Sequence, residues 1–377
     1  MNKKLVYLSC VPLLGLTLSS PAAQAAGWTE RTDISGFYSV RYSVTDEKAY
    51  LHGNRDTGIN SDGSFQGTKL GLTISSQVTD DINVAMLLMS AAADDGESFN
   101  THVDWAFASF RLNDDFSLRA GKLKFPVGLV NEYVDVGAAY PWINAPILIY
   151  SDEASGPQAT REAYTGTSLL WESYVGDSDW QVGADLFFGQ VALEGMTVKG
   201  VLGATLRANW DDVVELQASS YSGDMHTDPA GGMMMMAMNE KEHSATLVGL
   251  KVDWHNIIAY VEAASVEMDF SMNNRNVGNS DAWYATLGYR IGKFLPHITR
   301  QDWERDNGAN HQISTLGVAY SLTDSVVLKA EQSRITTNNF AMQTPMNSNS
   351  VGLFDVTDAA LSDGATDMTS IAVDIVF

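Results

Sequence analysis

Histidines are the side chains of this 377-residue chain with the widest catalytic repertoire. A hydrolytic site needs a histidine held beside a nucleophile and a carboxylate. None of the seven histidines stands in a Ser/Asp pattern that rises above chance, and we therefore predict no catalytic residue and no enzymatic activity. They are His52, His102, His226, His243, His255, His297 and His311.

A methionine-rich segment is the second candidate for chemistry. Met233–Met236 and Met238 lie between His226 and His243, and thioether and imidazole ligands suit Cu(I). Adjacent methionines cannot all converge on one ion, so we predict no metal site and no cofactor. A metal-binding role stays open as an alternative, to be tested by copper titration of a chain lacking Met233–Met236.

The charged residues are the remaining candidates, and their positions depend on the strands that carry them. Segments of roughly ten residues with alternating polarity recur to the end of the chain, a length that suits strands crossing a bilayer. We predict sixteen strands. They cover 34–44, 65–78, 83–92, 103–112, 116–125, 163–175, 179–189, 200–210, 213–221, 243–254, 257–268, 281–291, 294–303, 310–321, 325–336 and 364–377.

The connectors between these segments alternate between short turns and longer loops. Asp211-Asp212, His255-Asn256 and Gly292-Lys293 are short and rich in turn formers. The long connectors include 126–162, 190–199 and 222–242. This rhythm is typical of a transmembrane β-barrel, with short turns on the periplasmic side and long loops outside. A soluble β-sandwich or β-helix does not predict it.

Aromatic residues fall near the predicted strand ends, where amphipathic rings would meet the two lipid–water boundaries. One group lies beside the short turns and the other beside the long loops, which predicts two girdles. The first group is Trp180, Trp210, Trp254, Tyr289 and Tyr320, and the second is Trp105, Trp283 and Trp303.

Both ends of the chain agree with export to an outer membrane. The last strand alternates up to an apolar terminal residue, Phe377. Lys3 and Lys4, the apolar run Leu5–Leu18 and the motif Ala23-Gln24-Ala25 indicate a cleaved signal peptide over 1–25. We expect one β-barrel domain over 26–377, and the mature chain then lacks the only cysteine, Cys10.

The net charge of −23 excludes nucleic acid as a partner, because no basic run offsets it.

The strands and connectors described above predict an all-β fold, a transmembrane antiparallel barrel of sixteen strands. Eight strands fill their interior with side chains, whereas sixteen leave an aqueous lumen that passes small hydrophilic solutes. The longest connector, 126–162, carries apolar residues such as Leu129, Ile143 and Leu148. It is therefore expected to fold inward against the wall.

Sixteen strands with a long third loop resemble the Gram-negative porins, which are trimeric channels constricted by that loop. The stretch Arg119–Glu132, with Gly121, Pro126 and Gly128, is similar to the junction of the fifth strand and third loop in a porin-like subfamily of γ-proteobacteria. The resemblance implies a passive channel in the outer membrane. Its partners would be lipid, lipopolysaccharide, small hydrophilic solutes and two further copies of the chain.

The resemblance also implies a transverse electric field between acids of the third loop and bases of the wall. The constriction-loop residues would be Glu132, Tyr133, Asp135, Tyr140, Trp142, Asp152 and Glu153. Strand alternation makes Arg41, Lys69, Arg119, Arg207, Arg290 and Lys329 the basic lumen wall. Lys251 is a further inward base, and the inward acids would be Asp185, Glu215, Glu262, Glu331 and Asp374. The same alternation directs Lys122 and Lys124 outward.

The acidic loops favour a weak preference for cations at the channel mouth. A substrate-specific channel for sugars, phosphate or dicarboxylates stays open, although no arginine ladder favours phosphate. An outer-membrane enzyme is the alternative from another class.

Overall fold

The structure is a computed structural model. It describes residues 31–48, 50–51, 58–92, 98–150, 163–193, 196–227, 239–268, 271–272, 275–276, 278–306, 308–337, 350–351, 354–355 and 364–377. The predicted signal peptide, the loop acids Asp152 and Glu153, and the segment Met233–Met238 lie outside these residues.

Sixteen antiparallel strands form one closed barrel, as the alternation predicts. Each strand pairs with its neighbours in sequence, and the first pairs with the last. The strands are β1 (Thr32–Thr45), β2 (Lys69–Thr79), β3 (Ile82–Ala92), β4 (Phe99–Arg111), β5 (Phe116–Lys124), β6 (Ala163–Tyr174), β7 (Trp180–Leu193), β8 (Met196–Trp210), β9 (Val214–Thr227), β10 (Glu242–Trp254), β11 (Ile257–Met268), β12 (Ser280–Tyr289), β13 (Phe294–Arg305), β14 (Asn310–Ser321), β15 (Val326–Thr337) and β16 (Ala365–Val376).

The seam between β1 and β16 closes the barrel at the last residue of the chain. Phe37 pairs with Val376, and the backbones of Gly36 and Phe377 exchange two hydrogen bonds of 2.8 and 3.0 Å. The Phe377 ring lies where a Cβ on residue 36 would stand, so glycine is needed there for close approach. Phe377 itself is 63% exposed on the outer face.

The alternation along each strand separates an apolar outside from a polar and mixed inside. Leu202 is 64% exposed and Ile371 55% exposed on the outer face. Ser370 and Asp374, on the other face of β16, are buried inside the barrel. In a closed barrel no strand has a free edge, so the backbone N–H and C=O groups of every strand have partners, and the apolar outer wall suits a bilayer.

The prediction of a long connector over 190–199 is wrong. Strands β7 and β8 continue through it, pair Leu193 with Met196 and leave only 194–195 between them. A bulge between Gly189 and Val191 lets the ladder continue. Strand β9 likewise runs on to Thr227 into the predicted loop 222–242, past a bulge at Ser222/Asp224.

Of the girdle predicted on the short-turn side, Trp210, Trp254 and Tyr289 are exposed on the outer face, and Trp180 and Tyr320 are half-buried. On the loop side Trp283 is exposed as expected. The prediction that Trp303 belongs to this girdle is wrong, because its side chain is only 2% exposed and its ring stacks on His311 within the barrel. Trp105 packs against the buried cluster of Phe37, Leu87 and Met89, and is likewise not a lipid-facing residue.

The main apolar core lies inside the barrel, between the third connector and the wall. Buried loop residues, among them Leu129, Trp142 and Ile149, pack in one cluster with wall residues such as Leu247 and Ile335. The connector contains two short 3₁₀ turns, Asn131–Tyr133 and Gly137–Ala139, and one helical turn, Ile147–Tyr150. Nowhere in the described part of the chain is a helix long and apolar enough to cross a membrane.

Candidate functional site

The third connector starts from an aromatic cluster at the end of β5. The Phe125 ring contacts the rings of Tyr164, Phe187 and Tyr221 at centroid distances of 5.7, 5.3 and 4.9 Å, all nearly edge-on. Aromatic pairs in this geometry contribute about 0.5–1.5 kcal/mol each beyond their burial. The Asn131 side chain donates a 2.7 Å hydrogen bond to the Phe125 carbonyl and shapes the first turn. The sequence thus directs the chain inward from its first loop residue.

Asp135 lies at the centre of a group of four charges, in which the two acids are buried and the two lysines half-buried. Its carboxylate is 2.6 Å from the ammonium of Lys69 and 2.6 Å from that of Lys124, which also lies 2.9 Å from Asp104. Burial opposes ionisation of Asp135, but Lys124 and Lys69 outweigh it and hold the pKa of this carboxyl well below its usual range. Two acids and two bases therefore neutralise one another in direct contact.

Lys124 enters this group although strand alternation directs it outward. It is the last residue of β5, so its side chain can turn over the strand end into the barrel. Lys122, two residues earlier, does stay outside and donates to the Val103 carbonyl at 2.9 Å. Between the start of the strand and these lysines, Gly121 has φ +140° and lies against the backbone of Ala106 and Phe107. Lys124 and Asp104 are the participants that the sequence analysis missed.

Glu132 and Tyr133 extend the loop to the wall opposite Lys69. Glu132 accepts a 3.2 Å hydrogen bond from the Arg207 guanidinium of β8. The Lys251 ammonium of β10 lies 5.8 Å from the centre of the Tyr133 ring. Burial, followed by the fields of Tyr260 and Glu215, raises the pKa of Tyr133 well above its usual value, which keeps this phenol neutral.

Lys329 of β15 binds the loop through its backbone. Its ammonium donates to the carbonyls of Gly137, Tyr140 and Trp142 at 2.5, 2.9 and 2.7 Å. The Asp374 carboxylate of β16 lies 2.9 Å from the same nitrogen. Since an ammonium has three donors, these carbonyls engage all of them. This predicted wall base therefore holds the loop instead of facing a water-filled gap.

Arg41 of β1 contacts the same stretch of loop. Its guanidinium donates to the Asn144 amide oxygen at 2.7 Å and lies 3.3 Å from the Tyr140 hydroxyl oxygen. The Tyr140 hydroxyl donates to the Val134 carbonyl at 2.7 Å. Burial raises the pKa of Tyr140 to about 12, although the neighbouring Arg41 charge acts in the opposite direction.

Trp142 reaches the wall at β12 and β13. Its indole nitrogen donates to the hydroxyls of Thr286 and Thr299 at 3.0 and 2.9 Å. The ring is only 2% exposed and meets Tyr260 and Tyr284 at centroid distances of 4.8 and 5.8 Å. An aromatic slide for sugars requires a ring face open to solute, and this face is covered.

Two wall acids bind loop backbone amides. Glu262 accepts a 2.9 Å hydrogen bond from the Leu129 amide and another from the Tyr150 hydroxyl. Glu331 accepts a 2.9 Å hydrogen bond from the Ile143 amide. Burial, and then the nearby Glu262 carboxylate, raise the pKa of Tyr150 well above its usual value.

Arg119, Arg290 and Lys251 also have partners on the wall. The Arg119 guanidinium of β5 is 6.0 Å from the centre of the Phe107 ring. Arg290 follows β12 and forms a two-pronged ion pair with Asp253, at 2.6 and 2.7 Å. Lys251 lies 3.6 Å from Glu215. Charged residues thus line the short-turn half of the barrel interior, mostly in mutually neutralising pairs.

Comparison with known proteins finds likeness at the level of structure. No protein family and no curated protein sequence matches the chain. The outer-membrane protein OmpT of Vibrio cholerae superposes with a TM-score of 0.58 and 12% identity, over 94% of this chain and 99% of that one. An anion-selective porin from Comamonas acidovorans gives 0.59 and 12%, over 92% and 99%. OmpF of Salmonella typhi in complex with daunomycin gives 0.59 and 12%, over 92% and 97%. At this identity the likeness establishes the fold, the closed sixteen-stranded barrel.

Proposed function

We propose that the chain is an outer-membrane channel through which small hydrophilic solutes and ions diffuse passively, narrowed by the loop 126–162. The observation that carries this proposal is the closed barrel with an apolar outer face and a charged inner face. Charged residues on an inner wall are stable only if they are paired or hydrated. The pairs Arg290–Asp253 and Lys251–Glu215 line a part of the interior that is still partly accessible to water.

The proposed ion preference is weakly for cations. Several inner charges contact their opposites, among them Lys124 with Asp135, Lys329 with Asp374 and Arg290 with Asp253, and these pairs contribute little net field. The excess of acids in the whole chain, a net charge of −23, then raises the cation concentration near the mouths. That effect reaches about 8 Å at physiological salt. A preference of this origin should weaken as salt concentration rises.

The proposed location is the outer membrane of a Gram-negative bacterium, after removal of a signal peptide over 1–25. The proposed surroundings are outer-membrane lipid and lipopolysaccharide, and the proposed assembly is a homotrimer. A trimer form is recorded for the OmpT protein of Vibrio cholerae, which shares the fold. Cross-linking of the chain in native membranes tests the trimer, with a band at three times the monomer mass as the expected result.

Liposome swelling tests the channel itself. Liposomes containing the purified chain are diluted into solutes of increasing size, and entry is expected to fall steeply with solute size. Reversal potentials across a tenfold KCl gradient then give the ion preference, expected to be small and cation-selective at low salt. Liposomes that stay as tight as protein-free ones, even when they contain a folded chain with a shortened loop 126–162, would contradict the proposal.

A substrate-specific channel is the second candidate, because the loop contacts the wall directly instead of leaving a wide opening. A sharp saturation of solute entry, or block of ion current by one solute class, would favour it. The absence of enzymatic activity stays a prediction, and lipase and protease assays on the purified chain test it.

A further inference from the structure

The third connector crosses the lumen from one wall to the opposite one. Tyr133 contacts Lys251 of β10, and Asp135, two residues later, contacts Lys69 of β2. Strands β2 and β10 lie eight strands apart in a barrel of sixteen, on opposite sides. A loop that only followed one wall would not touch both within two residues.

Loop residues up to Leu148 contact the wall on the side of the lumen that faces β11 to β16. Trp142 bonds to β12 and β13, and the Leu148 amide donates to Gln301 of β13 at 3.2 Å. Ile143 bonds to Glu331 of β15. At β14 the side chains of His297 and Glu331 close over Gly317, where a Cβ would meet them at 2.3 and 2.9 Å. Loop and wall are therefore in direct contact at β12, β13 and β15.

The beginning of the loop contacts the wall on the remaining side, which faces β4 to β9. The Thr205 hydroxyl of β8 donates to the Pro126 carbonyl at 2.5 Å, and Phe125 packs into the ring cluster described above. The inward residues Ser168 and Asp185 of this arc are buried and bond to one another. The described loop residues, 126–150, thus contact the wall on both of these arcs.

We infer that the loop closes the channel in this conformation, and that Lys329 is the positioning residue that holds it closed. Solute passage then requires the loop to leave the wall, a property beyond the proposed passive channel. The inference rests on the proposed channel function, because the tests below measure ion current through the channel. Lys329 is the side chain suited to this role because it binds three loop carbonyls, is buried, and is fixed on the wall by Asp374. Without it those carbonyls lose a shared donor.

Planar-bilayer recordings of two variants test the inference. Lys329→Met removes the donor at similar length and should raise the fraction of time in the conducting state at least about tenfold, the change that 1.4 kcal/mol produces. Lys293→Met is the matched control, since Lys293 lies in an exposed turn and donates to the Leu322 carbonyl. It removes the same charge without touching the loop and should behave as the unmodified chain.

A disulfide across the opposite contact gives an independent test. The Cβ position of residue 249 lies 2.4 Å from Leu129 Cγ, so cysteines at these two positions come within bonding reach. Leu129→Cys with Gly249→Cys, in a chain with Cys10→Ser, should stop conducting when oxidised and recover on reduction. This test holds even if Lys329→Met fails to fold.

Currents that persist unchanged in the oxidised disulfide variant, or equal open fractions in Lys329→Met and the unmodified chain, would overturn the gate and leave the proposed channel intact. An absence of current even when the loop has been shortened would overturn the channel itself. The two failures are therefore distinguishable.

Discussion

Replacing Asp135 by asparagine should release the third connector from the wall. The change removes one carboxylate from a group in which Lys69 and Lys124 both lie 2.6 Å from it. Lys124 keeps Asp104 at 2.9 Å, whereas Lys69 loses this acidic partner. Removing one partner of a buried ion pair costs about 3–5 kcal/mol, because the other charge stays buried.

Hydrogen exchange of the loop amides measures this loss. The amides of Leu129, Ile143 and Leu148 each donate to a wall side chain, so they exchange when the loop opens. At 1.4 kcal/mol per tenfold, a loss of 3 kcal/mol speeds their exchange about 10²-fold. Asp253→Asn is the control, since it breaks a wall pair that contacts no loop residue among those described. Equal exchange in Asp135→Asn and the unmodified chain would refute the role of this charge group.

Two further predictions concern contacts of the loop with the wall, and a third concerns the seam between β1 and β16. Because the pKa of Tyr140 is raised to about 12, the contribution of this phenol to loop docking is complete below pH 10 and is lost as pH rises toward 12. An absorbance titration at 295 nm measures tyrosine ionisation, and Tyr140→Phe should remove the ionisation step near pH 12. Trp142→Phe should weaken loop docking by about 1–3 kcal/mol through the lost indole hydrogen bonds, whereas unchanged exchange of the Ile143 amide would speak against it. Gly36→Val should prevent closure of the seam, since a Cβ there meets the Phe377 ring at 2.5 Å and the Gly71 carbonyl at 2.7 Å; a folded fraction equal to that of the unmodified chain on heat-modified gels would contradict this.

The barrel could be predicted from the sequence because its signal is repeated sixteen times. Each strand alternates, and a mistake in one does not alter the count. The prediction of a connector over 190–199 is wrong because a bulge lets the ladder continue past Gly189. A bulge depends on the partner strand, and no single segment encodes it.

The alternation predicts which side chains face the lumen, but not which groups they contact there. Alternation places Lys69, Arg207 and Lys329 inside, but it does not state which loop group each one meets. The loop was expected to present acids to bases across a gap. Instead, Lys329 binds carbonyls, which every residue carries and no sequence pattern distinguishes. Lys124 was missed because a side chain at a strand end is free of the alternation.

Trp303 shows how an aromatic residue near a strand end can belong to either face. Its parity with Thr299 and Gln301 places it inside, where its ring stacks on His311 with centroids 4.9 Å apart. Nearness to a strand end places Trp303 in a girdle, whereas its parity places it inside the barrel. Parity is the stronger criterion wherever the ladder contains no bulge.

The most direct test is the bilayer conductance of a chain whose third connector is shortened. Lys124 and Ala163 are paired residues of neighbouring strands, so a short glycine–serine turn can replace the loop between them without straining the wall. If the barrel encloses a lumen that the loop closes, this variant conducts in stable steps, with a single-channel conductance well above that of the unmodified chain. A folded, inserted variant that passes no ions would contradict the account.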